Sequence, residues 1–238
     1  MNLYDECFSG VLELLKDYPA KELDISVGNE LTNDGKNRII LQSDTAYELG
    51  GGALPAVSSI ALTDSEAYVG TDGVYLIGDD LPDIKKDVPF ARIALIRVDE
   101  NSLGNGEALY QSIRKIEFTR YHLNPEGYMM RISAFTHREA VRISKTALKN
   151  GLSFSKVGKL FIDEYKKNPH VKAVKLLFVT KSDFPYDKLE VIMQKSEDIT
   201  KALDHIMKNI KMDCDACSLK AVCDEVEALC DKDFPKSE

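Results

Sequence analysis

Residues 155–188 read SKVGKLFIDEYKKNPHVKAVKLLFVTKSDFPYDK. A helical pattern over Ser155–Lys167 stops at Asn168-Pro169, since an Asn-Pro pair cannot continue a helix. Val171–Val179 follows with the apolar density of a strand buried on both faces. A long amphipathic helix is then predicted over Tyr186–Ile210. Helix, buried strand and helix in close succession point to a sheet covered by helices.

Outward from this segment the chain alternates the two kinds of element. Phe8, Val11, Leu12 and Leu15 fall at helical spacing within residues 3–16, and Tyr18-Pro19 ends that pattern. Asn33-Asp34-Gly35 reads as a hairpin-type turn before a strand at Arg38–Leu41. Further strands are predicted at Val57–Leu62, Val74–Ile77, Ala91–Val98 and Met129–Ala134. Helices are predicted at Glu107–Phe118 and at Arg138–Lys149, the latter stopped by Asn150-Gly151. After about Lys211 apolar content falls and acidic residues crowd in. The expected organisation is therefore one mixed α/β domain over residues 1–210 and a small tail over 211–238.

The chain has 238 residues and is 44% hydrophobic, enough to bury a sizeable core. No apolar run approaches the roughly 18 residues needed to span a bilayer, and the acidic start MNLYDECFSG is unlike a secretory leader. A cytoplasmic protein without membrane attachment is expected. A net charge of −8 argues against nucleic acid as a partner, because such binding needs a basic face. The lysines between Lys145 and Lys175 read as solvated helix faces.

Four of the five cysteines lie at Cys214, Cys217, Cys223 and Cys230, in the order C-x2-C-x5-C-x6-C. In a reducing compartment such a cluster reads as metal ligation before disulfides. Lys220–Asp231 is a plausible helix with Val222, Val226 and Leu229 on one stripe. On it, Cys223 and Cys230 stand about 10 Å apart along the axis at roughly 1.5 Å per residue. Zinc bonds its sulfurs at about 2.3 Å and needs all four close together. A 4Fe–4S cluster spreads its ligands wider. The spacing therefore favours iron–sulfur, with zinc as the alternative and no metal as the third reading. Asp213, Asp215, Asp224, Glu225, Glu227, Asp231 and Asp233 surround the cysteines; negative charge there disfavours adding an electron and implies a low potential.

Gly50-Gly51-Gly52 lacks both phosphate-loop spacings and reads as a tight turn. His122, His137, His170 and His205 are scattered, none at metal-ligand spacing. The chain shows no serine or cysteine nucleophile motif. Cys7, on the apolar face of the first helix, reads as a buried small hydrophobe.

The stretch from about Tyr47 to Lys175 resembles the middle region of the CO-methylating acetyl-CoA synthases, the synthase subunit of the carbon monoxide dehydrogenase complex. Glu48-Leu49-Gly50-Gly51 is similar to the family's Glu-Phe-Gly-Gly. Gly73-Val74-Tyr75-Leu76-Ile77-Gly78-Asp79-Asp80 resembles its Lys-Val-Glu-Val-Ile-Gly-Pro-Asp. Arg114-Lys115-Ile116, Glu126-Gly127 and, most specifically, Val141-Arg142-Ile143-Ser144-Lys145 follow in the family's order, as does the helical stretch from Lys156 to Leu160. Residues 1–46 have no counterpart in this match. In that family a long helix leads into C-x2-C-x8-C-x9-C, which holds the 4Fe–4S part of a nickel–iron–sulfur site. Cys214, Cys217, Cys223 and Cys230 match those ligands one by one, with both later loops three residues shorter.

The family's nickel-binding Cys-Gly-Cys has no counterpart here, so the resemblance does not carry nickel to this chain. Tryptophans tied to coenzyme A in the family are replaced by Met129 and Ala140, so it does not carry coenzyme A binding either. The family's domain that docks the dehydrogenase and channels carbon monoxide is missing too. The resemblance implies an α+β fold, a mixed sheet with packed helices like the synthase middle domain, ending in a cysteine-bearing helical tail. It implies one 4Fe–4S cluster in an electron-transfer or docking protein of an anaerobe, with a corrinoid or one-carbon pathway protein as partner. Two alternatives stand beside it: a component of a CO-methylating synthase whose nickel site another chain completes, and a zinc-stabilised interaction module.

Overall fold

The computed structural model describes residues 3–26, 31–33, 39–104, 107–132, 138–207 and 217–231, with Met207 and the last four by backbone alone. The elements run α1 (Asp5–Asp17), β1 (Lys21–Leu23), β2 (Thr45–Leu49), β3 (Ala56–Thr63), β4 (Gly73–Ile77), β5 (Phe90–Val98), α2 (Glu100–Leu103), α3 (Glu107–Phe118), β6 (Tyr128–Ile132), β7 (Glu139–Ser144), α4 (Lys145–Lys149), α5 (Phe154–Lys166), β8 (Val171–Val179), α6 (Tyr186–Met207) and α7 (Lys220–Asp231). Single 3-10 turns precede β2 and follow α3. Among the described residues no helix is long and apolar enough to cross a membrane.

The main sheet has the order β1-β4-β8-β5-β3. β8 runs parallel to β4 and antiparallel to β5, while β3 and β5 are parallel, so the sheet is mixed and the class is α+β. A second, antiparallel sheet has the order β2-β7-β6. Every residue of β3 is buried, and β5 is buried except at Arg97. Strands covered on both faces have no polar side to present, which accounts for their continuous apolar runs. β8 follows the same rule, with Val174, Leu176, Phe178 and Val179 fully buried.

The covering helices are amphipathic. α5 buries Phe154, Val157, Gly158, Phe161, Ile162 and Tyr165, a three-four repeat that faces β8 and β4. Ser153 caps its start by accepting from the Lys156 amide. Gly158 lets the helix lie close on β4; a β-carbon there would collide with the Val74 side chain. α6 packs on β3 and on α1, and Ser196 Oγ on α6 donates to the Ile60 carbonyl of β3.

Inside this apolar setting sits a fully buried ion pair. Arg92 on β5 donates from Nε to Glu139 Oε1 on β7 at 2.9 Å and from Nη2 to Glu139 Oε2 at 2.5 Å. The same Nη2 donates to Ser58 Oγ on β3 at 2.8 Å, and Ser58 Oγ in turn donates to Glu139 Oε2. The Phe161 ring of α5 lies 4.5 Å from the Arg92 guanidinium carbon. Both charged side chains are wholly excluded from solvent, so each depends on the other for its solvation.

Two predicted elements differ from the structure. Residues 139–144 form a strand where a helix over Arg138–Lys149 is predicted, and only Lys145–Lys149 is helical. The reason is a two-residue period of β-branched side chains: Val141 and Ile143 are fully buried while Arg142 between them reaches outward to Glu48. Ser144 then accepts from the Ala147 amide and starts α4. The strand predicted at Arg38–Leu41 is absent from its described part, 39–41, where Ile39 and Leu41 are 77% and 67% exposed. An apolar pair that meets no neighbouring sheet edge has nothing to pair with. Asp34 and Gly35 of the expected turn, Arg38, and the last two residues of the strand predicted at Met129–Ala134 lie outside the described residues.

Glu139 sets an acid limit on stability. Burial alone raises its carboxyl, but the Arg92 charge and hydrogen bond and the nearby Arg120 outweigh it and hold the pKa below the usual carboxylate value. A depressed folded pKa contributes stability above the unfolded value of about 4.3, lost as pH falls through the folded one. Glu139→Ala, which strands the Arg92 charge, is expected to cost about 3–5 kcal/mol. The paired replacement Arg92→Met with Glu139→Leu should regain most of that loss and flatten the acid limb. Urea unfolding from pH 7 down to pH 3 measures both effects.

Candidate metal centre

α7 is built on α6. Val226 is 1% exposed and Val222 is buried, and both belong to the main apolar core. Lys195 on α6 ties the two helices by donating to Glu225 Oε2 at 2.8 Å, and its Nζ lies 3.9 Å from Glu6 of α1. Asp224, Glu225 and Glu227 are exposed. The helix thus turns one apolar edge to the body and an acidic face to solvent.

The cysteines divide along this helix. Cys217 stands just before the first turn of α7, its carbonyl accepting from the Lys220 amide at 3.2 Å. Cys223 is in the first turns, half-buried and packed beside the core, its amide donating to the Leu219 carbonyl at 2.9 Å. Cys230 lies on the same unbroken helix, seven residues further on, and only its backbone is described. Cys214 lies outside the described residues, as does the expected domain boundary at 210/211. Among the described residues, no three His, Cys, Asp or Glu side chains gather as a metal site.

Donor chemistry and spacing give a conditional fit. Four thiolates are the ligand set of a 4Fe–4S cluster. The N-terminal end of a helix also receives negative charge favourably, and Cys217 is placed there. Cys223 and Cys230, however, are separated by about 10 Å of rise on a continuous helix at roughly 1.5 Å per residue. A single zinc ion, with sulfurs at about 2.3 Å, asks for a closer approach than this backbone separation offers. A cluster fits if the helix end yields.

Other candidates resolve differently. Cys7 is fully buried, its Sγ 3.5 Å from the Ile192 carbonyl, and burial pushes its thiol up to about 11. Such a thiol is inert. The Gly50–Gly52 turn points carbonyls, not amides, at the Arg138 guanidinium: Arg138 Nη2 donates to the carbonyls of Gly50, Gly52 and Leu54 at 3.1, 2.6 and 3.0 Å. A phosphate cradle needs converging amides, so this loop is a structural turn. Gly50, at φ +60° with its Cα hydrogen against Ala56, supplies the conformation that the turn requires. His170 is engaged through Nδ1 with Ser102 Oγ at 2.8 Å, and His137 lies outside the described residues.

A cleft of about 510 Å³ runs between Ile39–Leu41 and α4. Its Asp44 carboxylate is already committed to Ser144 Oγ, Thr146 Oγ1 and the Thr146 amide. The Arg92–Glu139–Ser58 node was not singled out from sequence. One signal was available: an arginine inside the otherwise apolar run Phe90–Ile96. No family model matches the chain, and no curated protein matches it.

The seat of α7 generates a direct test. Val226→Asp places a carboxylate in an apolar contact, and burying an unpaired charge is far costlier than releasing a short surface helix. The variant should lose amide protection across residues 220–231 while the body keeps its cooperative thermal transition. Hydrogen exchange read with a thermal melt distinguishes this from general unfolding, which would make α7 an integral part of the main core.

Proposed function

We propose that this chain is an acetyl-CoA-synthase-like iron–sulfur protein, holding one 4Fe–4S cluster with Cys214, Cys217, Cys223 and Cys230. The reading extends to an electron-transfer or docking role beside a corrinoid or one-carbon pathway protein of an anaerobe. The observation that carries it is the concentration of four of the five cysteines in 17 residues, with Cys217 and Cys223 together at the start of a helix braced on the core. When bound, such a cluster supplies one-electron transfer.

The chain's own contribution is placement and charge. Val222, Val226 and the Lys195–Glu225 pair fix the Cys223 side of the site to α6, so its position follows the body of the protein. The exposed Asp224, Glu225 and Glu227 keep the site's surroundings anionic, which favours the oxidised cluster and a low potential. The same acidic face suits a partner with basic docking residues. Four thiolates satisfy one cluster and leave no chelating pair for nickel, which supports a carrier or docking role over acetyl transfer by this chain alone.

Protein purified or reconstituted without oxygen should carry about four irons per chain and a broad brown absorbance, the signature of such a cluster. Cys217→Ala and Cys223→Ala should each lose most of the iron, and Cys7→Ala should keep it. Stoichiometric zinc in anaerobic protein, or iron that follows Cys7, contradicts the proposal.

A further inference from the structure

We propose that the groove between α1 and α6 is a docking site for an amphipathic helix of a partner protein, with apolar side chains at its centre and lysine or arginine at both ends. The groove contains no cysteine and needs no metal.

Its shape follows from how the two helices pair. Tyr18 Oη donates to the Asp183 carbonyl at 3.4 Å, Gly10 lies against Ile192, and Lys195 Nζ is 3.9 Å from Glu6, so α1 and α6 run antiparallel. Gly10 sets their closeness, since a β-carbon there would come within 2.7 Å of the Ile192 side chain. On α1 the groove is lined by Gly10, Glu13, Leu14 and Asp17, the i, i+3, i+4, i+7 stripe of one helix face. On α6, Val191 and Ile192 stand one turn beyond Asp187 and Lys188. The space between the two walls is about 550 Å³. A trough between paired helices is the shape that a third helix fills.

The middle of the trough is apolar. Val191 is 74% exposed, and Leu14 and Ile192 beside it are half-buried. One open valine on a surface is ordinary. A valine that completes an apolar floor with two neighbours inside a concave seam marks a contact surface. The charges then select the occupant. Asp17 and Asp187 stand at one end and make no ion pair among the described residues. Glu6 and Glu225 stand at the other, on either side of Lys195. Lys188 is the one cation lining the groove, and Glu13 is already met by Lys16. From Asp187 to Lys195 is about 12 Å at roughly 1.5 Å per residue, so the two acidic ends lie about two turns apart. A helix with leucine-like side chains over Val191 and cations at both ends meets both features. A second copy of this chain does not: a two-fold contact would bring these acids together, on a chain of net charge −8. Because Glu225 belongs to α7, a partner seated here lies beside the cysteine-bearing helix.

The probe is a fluorescein-labelled synthetic helix with leucines three and four residues apart at its centre and lysines at both ends. Its anisotropy is followed as the full chain is added, beside a copy with glutamate in place of every lysine. The lysine helix should bind and the glutamate copy should not. Val191→Glu and Asp17→Lys should each weaken binding about tenfold, while Asp83→Lys, the same charge change at an exposed acid outside the groove, should leave it within about twofold. The groove substitutions are at exposed positions, and a cation suits the last turn of α1, so the thermal melt should stay that of the wild type. No binding by the wild-type chain, or equal weakening by Asp17→Lys and Asp83→Lys, overturns the proposal. So does a wild-type dimer in sedimentation that Val191→Glu dissolves, which would make the occupant a second copy. Tighter binding by Phe234→Ala would make residues 232–236 of the chain itself the occupant, and overturns it too. Each of these results leaves the iron–sulfur reading as it stands, because no iron enters the measurement.

Discussion

The Arg92–Glu139 ion pair is the constraint on which the architecture turns. It joins β5 of the mixed sheet to β7 of the antiparallel one, takes in Ser58 on β3, and lies beneath Phe161 of α5. Three strands and a helix must therefore be in register before either charge is solvated. Two groups with no access to water accept no slippage, because a one-residue shift in β7 would turn Glu139 to the other face of its sheet. Apolar burial drives the collapse of this domain. The pair selects which collapsed arrangement is tolerated, the role in which buried charges are best attested.

From that core outward, order is passed along helices. β3 carries α6, and α6 carries both α1 and α7. Among the described side chains, Val222, Val226 and the Lys195–Glu225 salt bridge attach the cysteine-bearing helix. This placement ties the Cys223 side of the proposed site to the body of the protein. It suits a site assembled after the domain has folded, since metal ligation contributes folding energy mainly to the segment it ties together.

Much of the fold was legible because its strands are buried on both faces. Val171–Val179 and Val57–Leu62 are dense in Val, Leu, Ile or Phe, and such runs read as strands from either side. The helices Glu107–Phe118 and Lys220–Asp231 coincide with their predicted bounds. Residues 139–144 were misread because Glu139, Arg142 and Ser144 interrupt a short strand, and its apolar period only becomes visible once β2 and β6 are known to flank it. β1 and β2 were missed for a similar reason: three residues with Lys21 and Glu22, or five with Glu48, are too short to carry a period of their own. The Arg92–Glu139 pair joins residues 47 apart, and no local pattern encodes such a contact. At the candidate site the reverse holds. The cysteine cluster proposed as the ligand set is visible in composition, and the docking of α7 on α6 is not.

The central claim is that the four C-terminal cysteines together hold a single iron–sulfur cluster. Native mass spectrometry of the anaerobically reconstituted chain tests it most directly, because it weighs the bound group intact. The account predicts one added mass of four irons and four sulfides with four thiol protons lost, absent when Cys214, Cys217, Cys223 and Cys230 are all replaced by serine. A chain that flies at its metal-free mass, or with the added mass of a single zinc ion, would contradict it.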